Sequence, residues 1–430
     1  MELGEPAVWP EAGAPAGWLD EQADALARFA RGSVRDEGGF WWLDAHGRPD
    51  RSQPVHAWIS CRMTHVFALE SLRGGDPDAP SIVDHGIAAL SGLLHDDRYG
   101  GWYASVGADG TPTDAAKAAY PHSFVVLAAS SATVAGRPGA AELLDEALDV
   151  VLSRFWDEGA GRTIESWDRG FTTPEPYRGA NSSMHMVEAF LAAGDATGDP
   201  AWAIRALRVC EHLVHTVAAE YGWRLPEHFT PEWRPLLEYN ADRVADPFRP
   251  YGTTVGHWLE WSRLLLHVHA ALAADDAAAG PPRWLVEDAC ALFAAAVERG
   301  WAVDGADGFV YTLDWDDRPV VRSRMHWVLA EGVAAAAALY RQTGEPGYRR
   351  WYDRFWAYAR RYLIDPADGS WQHELDAANR PASTVWHGRP DVYHAYQAVL
   401  LPGLPIGGSA SGALAGYRAS QRAAFSPPEP

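Results

Sequence analysis

The sequence predicts an all-α protein closed into an (α/α)6 barrel, with six short β-hairpins gathered at one end. Three observations predict it. A Gly-rich aromatic segment recurs six times along the 430 residues, about 60 residues apart with one longer gap before the fifth copy. An amphipathic helical pattern precedes each copy. A helical pattern that is apolar nearly all round follows it.

The copies read DEGGFWWLDAHGRPD at 36–50, DRYGGWYASVGADGTPTD at 97–114 and DEGAGRTIESWD at 157–168. They continue as YGWRLPEHF at 221–229, DGADGFVYTLDWDDRP at 304–319 and DPADGSWQHELDAANRP at 365–381. Turn residues flank a few alternating aromatic positions, the pattern of a hairpin. The helix before the first copy, EQADALARFARGS, places Ala23, Leu26, Ala27 and Ala30 on one face among charges. The helices after the copies, such as SFVVLAASSATVAG and VLAEGVAAAAALYRQTG, have no polar face and are expected to be buried on all sides. Six inner helices inside six outer ones satisfy both patterns. An open solenoid would need a solvated concave face, which these inner helices lack.

Residues 17–405 are therefore expected to form a single domain, with an N-terminal extension over 1–16 and a Gly/Ala/Pro-rich tail over 406–430 that is expected to be mobile. The formal charge of −21 disfavours nucleic acid and anionic lipid as partners. The first residues carry no basic and apolar leader pattern, and no run of 18 apolar residues marks a membrane span. Cys61, Cys210 and Cys290 are far apart with no CxxC pair, which predicts reduced thiols in a cytoplasmic protein. The choice between monomer and homo-oligomer is open.

Polar residues interrupt the inner helices only at their starts. The first has Trp58, Arg62 and His65, the second Tyr120 and His122, the third Asn181 and His185. The fourth has His257 and Glu260, the fifth His326, Trp327 and Glu331, the sixth Asp391 and His394. If the barrel closes, the six clusters converge on one cavity, with Glu227, Trp315, His373 and Trp386 of the hairpins around its mouth. Each residue alone has a structural reading as a cap, an ion-pair partner or core. Six such clusters at the same place in six repeats point to a functional pocket. The 21 tryptophans add flat surfaces suited to sugar rings.

Two histidines facing one substrate suit removal of a proton from one carbon and its return to the neighbour. Glu260, one turn after His257, is expected to hold that imidazole in one tautomer, and Arg62 to stabilise an enediolate. His257, Glu260 and His185 are also plausible metal ligands, but no HExxH or tight ligand cluster is present, so neither a metal nor another cofactor is expected. A glycosidase would want more unpaired carboxylates. A non-catalytic sugar-binding protein would not need several buried histidines beside an arginine. Spacing alone does not separate His257 and His394 from His122, His185 or His326.

The motifs HAWISCRMTHVFAL, YRGANSSMHMVEAFLA, LPEHF, PFRPYGTTVGHWLEWSRLLLHVHAAL and DVYHAYQAVLLP resemble the N-acylglucosamine 2-epimerase superfamily over roughly residues 17–405. Closest is its branch of aldose–ketose isomerases acting on mannose and sulfoquinovose. The resemblance implies metal-free isomerisation of a monosaccharide through a cis-enediol, with His257 and His394 as the acid–base pair. It places Arg62, Tyr120, Asn181, His185, Glu227 and Glu260 in the pocket, with Trp58, Trp315 and Trp386 as walls. Pro247, Pro390 and His373 stand where the sulfoquinovose members carry polar residues. That favours D-mannose and D-fructose, with D-lyxose and D-xylulose also accepted. Sulfoquinovose isomerisation and sugar 2-epimerisation are the alternatives within the same superfamily.

Overall fold

The computed structural model describes residues 15–274 and 280–425. Its α-helices are α1 (Ala16–Ala30), α2 (Ala57–Arg73), α3 (Ala79–Ser91), α4 (Ala119–Val134), α5 (Ala140–Val150), α6 (Ala180–Thr197) and α7 (Ala201–Cys210). After them come α8 (Val255–Ala273), α9 (Trp284–Gly300), α10 (His326–Thr343), α11 (Pro346–Tyr358), α12 (Tyr393–Leu400) and α13 (Ala410–Phe425). The even-numbered helices form the inner ring. Each packs on the next, and α12 returns to α2, so the barrel is closed. Each odd-numbered helix from α3 to α11 covers the inner helix before it. The first helix, α1, covers α12 and clasps the two ends of the ring together. This is the predicted (α/α)6 architecture.

The inner helices owe their burial to composition. Every side chain of α2 from Ala57 to Glu70 is buried, and so is the run Val328–Leu339 of α10, where five successive alanines allow close approach of neighbouring helices. Three inner helices stop on a left-handed glycine, Gly74, Gly198 and Gly344, the usual device for ending a helix without a Cβ clash. No helix of the described residues is long and apolar enough to cross a membrane.

The hairpins differ from expectation in how they pair. Within a unit most pairing is by isolated bridges, such as Leu43 with Pro49 and Leu313 with Pro319, and short ladders form only at Ser105–Val106 on Pro112–Asp114 and at Trp156–Asp157 on Arg162–Thr163 among the described residues. The main strand pairs link consecutive units. The two residues entering each inner helix lie antiparallel to the next hairpin: Val55–His56 on Ser105–Val106, Lys117–Ala118 on Ser166–Trp167 and Arg178–Gly179 on His228–Phe229. Thr253–Thr254 lies likewise on Thr312–Leu313, and Arg324–Met325 on Glu374–Leu375. The sixth unit reaches the first when Arg389 N–H donates to the Leu43 carbonyl (2.9 Å) and Trp42 Nε1–H to the His387 carbonyl (2.9 Å). A two-residue strand has a free edge, and the neighbouring unit satisfies it. Gly388 sits at this junction with φ +73°, where a Cβ would meet the Leu43 carbonyl oxygen at 2.3 Å. The result is a belt around one end of the barrel, and it fixes the starts of all six inner helices.

One link in the belt is ionic. Lys117 has no exposed surface, and its Nζ lies 3.1 Å from Asp96, whose carboxylate also takes Arg169 at 2.8 Å. The three residues tie the second and third hairpins together.

The tail also departs from expectation. Residues 410–425 are helical, and α13 packs on α2, α4 and α6. Asp195, near the end of α6, accepts hydrogen bonds from Ser409 N–H (2.8 Å) and Oγ–H (2.6 Å), the residue before α13. Ala410, Ala413 and Leu414 are buried against the barrel. The helix therefore covers the end opposite the hairpins. The N-terminal extension up to residue 14 lies outside the described residues.

Candidate active site

Each inner helix is entered from the belt, so the polar residues of its first turns stand at one level around the axis. They line a cavity that is open at its mouth. Trp58 and Arg62 come from α2, Tyr120 from α4, Asn181 and His185 from α6, His257 and Glu260 from α8, and His326 and Trp327 from α10. Asp391 and His394 come from the start of α12, and His373 and Trp386 from the sixth unit's hairpin segment.

Two histidines in this ring are held alike. His257 Nδ1 lies 2.9 Å from Glu227 Oε2, and His394 Nδ1 lies 2.9 Å from Glu331 Oε1. A carboxylate only accepts, so each ring donates through Nδ1 and leaves Nε2 for the cavity. Trp327 lies between them, its ring 5.2 Å from His257 and 5.7 Å from His394 at similar tilts. Burial, the Arg62 guanidinium and the neighbouring His326 hold His394 well below the usual histidine range.

Glu227 is therefore not a mouth residue as expected. It is buried behind His257, and its other oxygen accepts from Thr254 N–H at 3.2 Å. Glu260 does not orient His257 as expected. The helical spacing puts both on one side of α8, but the imidazole turns toward the hairpin, while Glu260 points to the floor. There neither Glu260 oxygen has a hydrogen-bond partner, and burial together with Glu331 pushes its carboxyl well above the ordinary range. Trp315 is not a pocket wall either. Its indole N–H donates to the Leu237 carbonyl at 2.9 Å and its ring packs on Tyr221 at 5.8 Å, outside the cavity lining.

The remaining predicted residues meet in the cavity. Arg62 is buried against the faces of Phe124, Tyr393 and Trp58, 4.5 to 4.9 Å from each centroid. It donates to Tyr120 Oη (3.0 Å) and pairs with Asp391 (3.3 Å). Asn181 lines the opening of α6. Below it, His185 is pushed down to about 4 by burial, with Nδ1 3.6 Å from Glu188 and 3.8 Å from Glu260. His373 stacks on His326, ring centroids 3.8 Å apart, and lies well below the usual histidine range through burial and that neighbour. Trp386 and Trp58 meet edge to face at 6.1 Å.

Sequence reasoning gave Glu331 and Asp391 no task, and it missed Phe248 and Tyr311. Phe248 projects over the mouth, 43% exposed, and touches Trp58, Tyr120 and Trp386 at 6.3, 5.8 and 5.2 Å. Its only sequence signal was an aromatic residue inside PFRPYG, a segment with no periodicity. Beneath the floor Arg263 binds Glu331 at 2.8 Å and approaches Glu260 at 3.8 Å. This arrangement offers two oriented imidazoles, a guanidinium and an aromatic wall to one small ligand, which suits proton transfer between adjacent carbons.

The model of the family described as N-acylglucosamine 2-epimerase (GlcNAc 2-epimerase) matches residues 38–398. The chain is 56% identical over 409 residues to the D-mannose isomerase of Thermobifida fusca, covering 95% of this chain and 99% of that one. It is 48% identical over 399 residues to the D-mannose isomerase of Pseudomonas cannabina pv. alisalensis, covering 93% and 95%. A crystal structure of D-mannose isomerase superposes with a TM-score of 0.84 at 26% identity, over 92% of this chain and 99% of that chain.

Proposed function

The chain belongs to the N-acylglucosamine 2-epimerase family, and from that premise we propose that it is a cytoplasmic isomerase interconverting D-mannose and D-fructose, and D-lyxose and D-xylulose, without a metal. The observation that carries the reading is the pair of imidazoles, each tied through Nδ1 to a buried carboxylate and each free at Nε2.

The reaction starts from the open-chain aldose. One imidazole takes the proton from C2 while the other gives a proton to O1, leaving a cis-enediol. O2 then loses its proton and C1 gains one, which makes C2 the carbonyl of the ketose. His394, neutral at working pH because of its burial, fits the base. Arg62 steadies charge on the enediolate oxygens, and Trp58 and Trp386 offer faces to the sugar chain.

A neutral sugar is supported by what surrounds the mouth. Arg249, the nearest candidate for a sulfonate, gives both terminal nitrogens to Glu175 (2.7 and 2.9 Å) and lies over the Tyr177 ring at 4.1 Å. Pro247 and Pro390 line the cavity, and Arg62 is the one guanidinium among its described lining residues.

The test is a sugar panel followed by NMR in D2O, with and without prior EDTA dialysis. Fructose from mannose, with solvent deuterium entering at C1 and the rate unchanged by EDTA, is the expected outcome. Glucose as the main product from mannose would make the protein a 2-epimerase, and faster turnover of sulfoquinovose would overturn the neutral-sugar reading. Loss of activity restored by a divalent ion would overturn metal independence.

A further inference from the structure

We infer that the floor of the cavity is a three-ligand site for a divalent transition cation of the zinc class, formed by His185 Nδ1, Glu188 and Glu260, whose occupation inhibits the enzyme. The ligand atoms of the three residues all lie within 4.8 Å of one another. The Nδ1 nitrogen is 3.6 Å from Glu188 Oε2 and 3.8 Å from Glu260 Oε1. Ligands of a tetrahedral zinc ion stand about 3.4 Å apart, so small side-chain shifts close the set.

The donors are also unspent. His185 Nδ1 and both Glu260 oxygens have no hydrogen-bond partner, although His185 is 4% and Glu260 1% exposed. A buried polar atom without a partner is costly, and three at one point face the same small volume. Glu188 supplies the ordered carboxylate. It accepts the Tyr393 hydroxyl and, on its other oxygen, Gln397 Nε2–H at 3.2 Å, the kind of support that aims a metal ligand. Charge points the same way. Glu188, Glu260 and Glu331 surround one guanidinium, Arg263, and the crowding of carboxyl groups that raises Glu260 is relieved when a cation takes the place of its proton.

A second trio, Glu260, Glu331 and His394, also lies within 4.8 Å. It is the weaker candidate, because Glu331 is already engaged by Arg263 at 2.8 Å and His394 at 2.9 Å, and both bonds would have to break. His185 and Glu260 line the cavity while Glu188 lies beneath it, so the cation enters by the sugar's route and its fourth position faces the sugar's space. Occupation removes His185 and Glu260 from the sugar, and this inhibition rests on the proposed isomerase reading, whereas binding does not.

The experiment titrates the EDTA-dialysed enzyme, without sugar, with ZnCl2 by calorimetry and with CoCl2 by visible absorption. One Zn2+ per chain, a cobalt d–d spectrum of low coordination number, and activity lost in step with occupancy and restored by EDTA are expected. Glu188→Gln and His185→Ala should each weaken binding at least about tenfold; should the first fail to fold, the second carries the test. No binding, several weak sites indifferent to both substitutions, or stoichiometric binding with full activity overturns the inference. So does binding abolished by Glu331→Gln and kept in Glu188→Gln.

Discussion

The two sides of the cavity hold their histidines by different means. On one side His257 leans on Glu227, a hairpin residue whose main-chain carbonyl accepts from Ala180 N–H at 2.9 Å and whose side chain accepts from Thr254 N–H. On the other, His394 leans on Glu331, a residue of the neighbouring inner helix α10, whose second oxygen is taken by the buried Arg263. One anchor is set by strand pairing in the belt. The other is set by helix packing and belongs to a buried charge network. The same imidazole geometry is thus built from a local turn on one side and from the core on the other. Damage to the first should cost rate, and damage to the second both rate and stability.

The largest effects test the pair itself. His257→Ala and His394→Ala should each lower kcat/KM by at least about 10³-fold with the far-ultraviolet circular dichroism unchanged. A variant within about tenfold of wild type would remove that histidine from the reaction.

The anchors come next and sharpen the contrast. Glu331→Gln leaves Arg263 without its buried carboxylate, and breaking such a pair costs about 3–5 kcal/mol. A rate loss of about a hundredfold should therefore come with a Tm lower by at least about 5 °C. Glu227→Gln should lower kcat/KM by about ten- to a hundredfold while Tm moves by less than about 3 °C. Equal losses of Tm in the two variants would break the comparison.

Acid should act mainly through buried histidines, several of them on the His394 side. His185 and His326 are pushed down to about 4 by burial, from 6.5 in an unfolded chain. Between these values the unfolded state binds more protons, so the stabilisation is complete above pH 6.5 and is lost as pH falls toward 4. Thermal scans should show Tm dropping by at least about 10 °C from pH 6.5 to pH 4.5. A flat profile would mean that these rings are charged in the folded protein.

The smallest contrast concerns tryptophans. Trp386→Ala, on the cavity wall, should raise KM about tenfold with less change in kcat. Trp315→Phe, outside the lining, should leave both within about twofold.

Much of this was legible in the sequence because it depends on periodicity. The six aromatic segments and the apolar helices between them defined the ring, and equal positions in the repeats brought Arg62, Tyr120, His185, His257 and His394 to one level. What was not legible depends on contacts between units. Glu227 anchors His257 across 30 residues through a strand pair that no helical spacing encodes, so the nearby Glu260 was credited instead. Glu331 reaches His394 from another helix, 63 residues away. Trp315 carried the composition of a sugar platform, but the fold turned it outward onto Tyr221. The tail had too few apolar residues to signal a helix, and its docking rests on Asp195 and a handful of small side chains.

Lys117 is the chain's single lysine; apart from histidine, every other basic side chain is arginine. It has no exposed surface and sits against Asp96. Open-chain aldoses and ketoses condense with free amines, and a folded surface without lysine gives glycation no lysine to attack. Lysine-directed cross-linkers meet the same lack. A lysine label that does attach reports a molecule whose second and third hairpins have come apart, which makes this one ammonium group a built-in gauge of opening at the belt.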